Sequence, residues 1–198
     1  DRTRMEWGDE VLDTQRSLHC KMLNLHQKPK RILLIGFMCS GKSTVGRALA
    51  KVLDLPFIDI DRMVEGRVGP LVPFIQQKGE QTFRELENEL LNELLKGPDA
   101  VIGTGGGTPC SNNNMARMNA NGITVWLDVP MEYLMPLIER KGGDRPLLFG
   151  LKGAELRDRV MELYTPREQI YAEADLIVQA GALPSIVVER IALALKSW

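Results

Sequence analysis

The sequence predicts an α/β protein in which a parallel sheet of five short strands is covered by helices on both faces. Three observations carry this. From Ile32 onward, short apolar runs alternate with longer amphipathic stretches. The apolar runs are continuous rather than alternating, as strands buried on both faces require. Each run is followed by a helical pattern, the grammar of βαβ units. The ligand crevice of such a sheet lies beyond the carboxyl ends of its strands, so the residues just after each apolar run are the candidates for chemistry.

Residues 1–30 stand apart, with clustered charge, both histidines (His19 and His26) and no strand-like run. Leu18, Met22 and Leu25 fall at helical spacing, which suits either a docking helix or a partly disordered leader; neither the apolar core of a signal peptide nor the acid-poor composition of a transit peptide is present. The catalytic argument is therefore confined to 31–198. Residues 32–35 read as the first strand, 36–43 as a turn and 44–53 as a helix with Val45, Leu49 and Val52 on one face. Pro56, Phe57 and Ile58 begin a second strand, and 71–95 read as helical, with Phe83, Leu86, Leu90 and Leu94 on the apolar side. Further strands are expected at 100–102, 123–127 and 176–178, and helices near 130–141, 154–173 and 185–196.

Composition narrows the function. The 198 residues carry 25 basic and 26 acidic side chains, 44% are hydrophobic and the net charge is −1. That suits one globular domain of about 170 residues plus some excess. It excludes a disordered tail and a spanning helix of ~20 apolar residues, and a pI near 6.2 removes the bulk positive charge of a nucleic-acid binder. Cys20, Cys39 and Cys110 are odd in number and lack metal-ligand spacing, so reduced thiols in a cytoplasmic setting are expected.

The strongest motif is Gly36-Phe37-Met38-Cys39-Ser40-Gly41-Lys42-Ser43, a G-x-x-x-x-G-K-[ST] run between a strand and a helix. Its glycines let successive N–H groups turn inward on a phosphate, the following helix adds its positive end, Lys42 meets the outer phosphates and the Ser43 hydroxyl ligates Mg²⁺. ATP and Mg²⁺ are therefore the expected cofactors. The cradle identifies a nucleoside triphosphate and leaves the reaction open.

The acceptor side must choose. Asp59 and Asp61 close the second strand two residues apart, where strand alternation turns both carboxylates to one face. One would hold the metal through water and the other take a hydrogen bond from an attacking hydroxyl; the plainer alternative is that one caps the next helix. Arg84 and Glu87 sit at i, i+3 on a helix face, either as a surface ion pair or as a fork held rigid for a substrate carboxylate. Gly105, Gly106 and Gly107 follow the third strand directly, and three adjacent glycines imply close approach to their backbone. No acidic residue ends that strand, leaving Asp59 as the obvious carboxylate for the metal. Arg140 and Arg145 flank the glycines of a loop near 142–153, read as a lid that brings positive charge onto phosphates; near a helix end, arginines also complement its dipole. Arg167 lies on a late helix that can face the crevice.

With these residues in order, the chain resembles shikimate kinase. The resemblance covers about 31–195 and rests on G-F-M-C-S-G-K-S-T, F-I-D-I-D, F-R-E-L-E, G-G-G, R-P-L-L and R-x-x-x-Y. It implies ATP-dependent phosphorylation of the 3-hydroxyl of shikimate in aromatic amino-acid biosynthesis, on a three-layer α/β/α sandwich of the P-loop kinase type. It also implies that Gly36, Ser40, Gly41, Lys42, Ser43, Thr44, Arg140 and Arg145 serve the nucleotide, with Ser43 and Asp59 at the metal. Asp61, Arg84, Gly105, Gly106, Gly107 and Arg167 would serve shikimate, Lys42, Asp61 and Arg145 would be catalytic, and 179–184 would flank adenine. The departures are Cys39 at a position often Gly or Ala, a short lid, and no proline between Arg167 and Tyr171. The partners expected are small molecules only, for a monomer that binds neither nucleic acid nor membrane.

Overall fold

In the computed structural model, residues 31–141, 146–181 and 183–196 are described. The leader and Arg145 lie outside them, as does part of the expected lid. The strands are β1 (Arg31–Ile35), β2 (Phe57–Asp59), β3 (Ala100–Gly103), β4 (Ile123–Asp128) and β5 (Leu176–Gln179). All pair in parallel in the order β2-β3-β1-β4-β5. The helices are α1 (Lys42–Leu53), α2 (Ile60–Val68), α3 (Leu71–Lys78), α4 (Glu80–Lys96), α5 (Asn114–Asn121), α6 (Met131–Lys141), α7 (Gly153–Tyr171) and α8 (Pro184–Leu195), with short 3₁₀ turns at Thr108–Cys110 and Pro146–Leu148.

Strand alternation builds two cores. Leu33, Ile35, Ile102 and Trp126 pack on one face against α2, α4, α5, α6 and α7. Ile32, Leu34, Val101 and Val125 pack on the other against Val45 and Leu49 of α1 and Val187, Val188 and Ile191 of α8. This is the three-layer sandwich the sequence predicts. Among the described residues, no helix is long and apolar enough to cross a membrane.

The sheet order places the site. β1 has β3 on one side and β4 on the other, so chain connections leave its carboxyl end in opposite directions and open a crevice there. Register aligns the rims: Asp59 of β2 lies beside Gly103 of β3, and Gly103 beside Leu34 of β1. The segments after β1, β2 and β3 therefore meet at one edge.

Three sequence expectations are corrected here. The stretch 71–95 is two helices, broken at Gly79, whose φ of 85° is left-handed backbone that favours glycine. The buried face of α4 is Phe83, Glu87, Leu90, Leu91 and Leu95, with Leu86 and Leu94 only half-buried, because a carboxylate occupies a core position. β2 ends at Asp59 and α2 begins at Ile60, so Asp59 and Asp61 do not share a strand face. Asp59 caps the helix, accepting from Arg62 N–H at 3.4 Å, and Asp61 sits in its first turn.

Candidate active site

The cradle after β1 is built by left-handed backbone. Gly36 has φ 140°, Cys39 63° and Gly41 89°, curling the loop toward the N-terminus of α1. Cys39 adopts a conformation disfavoured for an L side chain, which is why glycine suits this position. A Cβ on Gly36 would lie 2.9 Å from the Leu127 carbonyl and 3.1 Å from Ser40 Oγ, so the loop also packs too tightly there for a side chain. Lys42 Nζ reaches back across the loop, donating to the carbonyls of Gly36 and Phe37 at 2.8 Å each and to Ser40 Oγ at 3.4 Å. The Ser43 hydroxyl donates to Asp59 Oδ2 at 2.6 Å. Asp59 thus caps α2 with one oxygen and meets the cradle serine with the other, so capping leaves it in contact with the loop.

Cavities lined by described residues adjoin this loop, and three of them bear on the chemistry. One of about 200 Å³ is floored by Gly41, Lys42, Ser43 and Thr44 and walled by Asp59 and Asp61. A larger one of about 490 Å³ continues past Ser40 and Thr44 toward Tyr133, Ala180, Gly181 and Pro184, bringing part of the expected adenine-flanking segment to the cradle. The third, about 80 Å³, holds Arg84, Glu87, Arg167 and Gly105, Gly106 and Gly107. Met38, Asp61 and Gly106 line both the first and the third. Asp61 therefore stands at the junction between an anion cradle and a small pocket carrying two arginines.

That pocket is held by a buried ion pair. Arg84 Nη1 donates to Glu87 Oε2, and its Nε and Nη2 donate to Glu80 Oε1 at 3.3 and 2.9 Å. Glu87 is 1% exposed, and its second oxygen accepts from Thr108 Oγ1 at 2.6 Å. Burial pushes the Glu87 carboxyl up, aided by nearby Asp61 and opposed by Arg84 and Thr108. Burial would lower the Arg84 pKa, but Glu87 and Glu80 outweigh it and the net direction is up. The surface-decoration reading of Arg84 and Glu87 therefore fails: the pair is the pocket wall.

The glycines divide by role. A Cβ on Gly105 would lie 2.6 Å from Asp61 Oδ1 and 2.9 Å from Thr108 Oγ1, and one on Gly107 2.6 Å from Arg84 Cζ. At these two the close neighbours are the protein's own charged side chains. Gly106 differs, because its nearest heavy atom would be 3.5 Å away, an ordinary contact. Tyr171, buried on α7, donates its hydroxyl to the Gly106 carbonyl, and Arg167 lies over the Phe37 ring at 5.8 Å.

Arg140 is exposed on the last turn of α6, and it is Leu137 and Lys141 of that helix that line the 200 Å³ cavity. Glu80, Thr108 and Tyr171 were not singled out as site residues by sequence reasoning. Glu80 had a readable signal, four residues before Arg84 on one helix. Tyr171 had one as well, four residues after Arg167 in the R-x-x-x-Y run, whereas Thr108 had none in its spacing, because its partner Glu87 is distant in sequence.

A parallel sheet of this order, a phosphate cradle at its switch point and an adjoining arginine pocket define a P-loop small-molecule kinase. Comparison with known proteins makes the class specific. The family model described as shikimate kinase matches residues 38–196. A shikimate kinase of Parabacteroides distasonis is 43% identical over 152 residues, covering 76% of this chain and 88% of that protein. The crystal structure of shikimate kinase from Bacteroides thetaiotaomicron superposes with a TM-score of 0.76 at 36% identity, covering 84% of this chain and 98% of that one. The Acinetobacter baumannii enzyme in complex with shikimate gives 0.77 at 31% identity, covering 85% and 93%. The chain belongs to the shikimate kinase family.

Proposed function

We propose that this chain transfers the γ-phosphoryl group of ATP to the 3-hydroxyl of shikimate, giving shikimate 3-phosphate and ADP on the route to the aromatic amino acids. As a family member it is a phosphotransferase that uses ATP. The observation that carries the acceptor reading is the position of Asp61, on the wall shared by the cradle and the Arg84–Arg167 pocket. A hydroxy acid with its carboxylate toward the arginines presents a hydroxyl to Asp61 and, beyond it, to the phosphates.

Phosphoryl transfer of this kind needs positioning and charge neutralisation rather than a covalent intermediate. The inward N–H groups of 36–41 and the α1 terminus hold the phosphates, and Lys42 compensates the outer ones. Asp61 accepts the hydrogen bond of the attacking hydroxyl and orients its lone pair in line. Arg84 and Arg167 fix the far end of the acceptor, and Gly106 presents bare backbone between the two pockets. Ser43 and Asp59 offer hard oxygen donors 2.6 Å apart, a set that fits Mg²⁺ with water and phosphate completing its shell. When bound there, Mg²⁺ supplies neutralisation of charge on the triphosphate.

The family resemblance assigns Arg145 to the closing lid and Arg140 to the nucleotide. Both Arg140 and Lys141 are exposed, but it is Lys141 that lines the cradle cavity, which makes it the candidate cation of that helix. The same reading has a cytoplasmic monomer with reduced thiols, in line with Cys39 and Cys110 being free. Incubation with ATP, Mg²⁺ and shikimate, followed by ³¹P NMR, tests the chemistry: a new phosphomonoester coupled to the proton on carbon 3 is expected. ADP and inorganic phosphate with no phosphomonoester, or coupling to another ring position, would refute the assignment.

A further inference from the structure

Arg84 has five N–H donors in fixed geometry. Glu80 Oε1 takes two of them, Nε at 3.3 Å and Nη2 at 2.9 Å, on the side edge of the guanidinium. Glu87 takes Nη1. The Gly107 backbone covers one face, since a Cβ there would fall 2.6 Å from Cζ. Of the two edges that can take a two-pronged grip on a carboxylate, the side edge is therefore filled by a carboxylate of the protein itself, and the end edge has already given Nη1 to Glu87.

The two acidic partners are not equivalent. Glu87 is 1% exposed and is also anchored by Thr108, whereas the Glu80 side chain is 45% exposed and, among the described residues, hydrogen-bonds to Arg84 alone. Glu80 opens α4 directly after Gly79 and lines the same pocket as Arg84 and Arg167. At a helix N-terminus a carboxylate is stabilised by the exposed N–H groups and the dipole even without its arginine, so Glu80 loses little on letting go.

We infer that Glu80 is a stand-in carboxylate: it occupies the side edge of Arg84 and is displaced by the acceptor's carboxylate, which sets acceptor affinity and discriminates against ligands without that charge. This rests on the shikimate reading above. Displacement makes Glu80 a competitor of the substrate, so removing its charge tightens acceptor binding. A residue that merely positioned Arg84 would do the opposite.

The test is calorimetric titration of wild-type protein, Glu80→Gln and Glu80→Asp with shikimate and with shikimate methyl ester. Glu80→Asp keeps the charge at the helix start but is one methylene too short to span the edge, so the inference stands even if one variant folds poorly. Both variants should bind shikimate about two- to fivefold more tightly, the range of a partly exposed ion pair, with no change for the ester. Weaker or unchanged shikimate binding, or an equal change for acid and ester, overturns the stand-in role. Failure of the wild-type protein to bind shikimate would instead overturn the functional reading on which it rests.

Discussion

Gly107→Ala isolates the Arg84 fork without straining the backbone. Gly107 has φ −95° and ψ −14°, which alanine adopts freely. The added methyl would lie 2.6 Å from Arg84 Cζ and 2.7 Å from Nη1, where real contacts stay beyond 3.0 Å. The guanidinium must therefore move by several tenths of an ångström. It cannot do so and keep all its bonds, because Glu87 holds Nη1 and Glu80 holds Nε and Nη2. The shifted guanidinium no longer meets the acceptor carboxylate squarely, and losing one hydrogen bond between charged groups to the acceptor itself costs ~1.5–3 kcal/mol, so shikimate affinity should fall about 10- to 150-fold. Gly107 lines the acceptor pocket and not the phosphate cavity, so ATP affinity should hold. Calorimetry with each ligand reads both. Shikimate affinity within threefold of wild type would show that Arg84 does not grip the acceptor where the structure puts it.

Lys42→Met removes a preorganised charge worth ~3–4 kcal/mol in the transition state; kcat should drop by orders of magnitude, and retention of more than about a tenth of it in a steady-state assay would reject the cradle assignment. Asp59→Asn should raise the Mg²⁺ concentration needed for half-maximal rate, while Asp61→Asn should depress kcat and leave nucleotide binding intact; a magnesium shift in Asp61→Asn alone would reverse the two roles. Burial raises the Glu87 pKa, so its contribution to stability is present below the ordinary carboxylate range and is lost as pH rises through the raised folded value. Wild-type stability relative to Glu87→Gln, from urea unfolding at a series of pH values from about 4 upward, should therefore fall with pH; a rise would mean that the Arg84 pairing dominates.

The layer order, the five strands and the cradle were legible because each is local: continuous apolar runs, a fixed octapeptide and helical spacing. Asp59 and Asp61 do line the cradle cavity, but the strand geometry that singled them out was mistaken. Strand alternation was extended through a point where Asp59 already caps a helix, the plainer alternative that the sequence also offered. The helices Ile60–Val68 and Asn114–Asn121 were not foreseen, since their buried faces are only Ile60 and Val64 in one and Asn114, Met115 and Met118 in the other, too short a pattern to stand out. The triple glycine was rightly read as a place of close approach, but at Gly105 and Gly107 what approaches is Asp61, Glu87 and Arg84. Such contacts join residues some 20 to 45 positions apart, and no single-sequence spacing encodes them.

The central claim is that the Arg84–Arg167 pocket beside the cradle selects shikimate as phosphoryl acceptor. The most direct measurement is coupled ADP release with ATP and Mg²⁺ across shikimate, quinate, gluconate and nucleoside monophosphates. ADP release above the acceptor-free rate should appear with shikimate and be far slower with the others. A silent response to shikimate, alongside rapid ADP release with gluconate or a nucleoside monophosphate, would contradict the account.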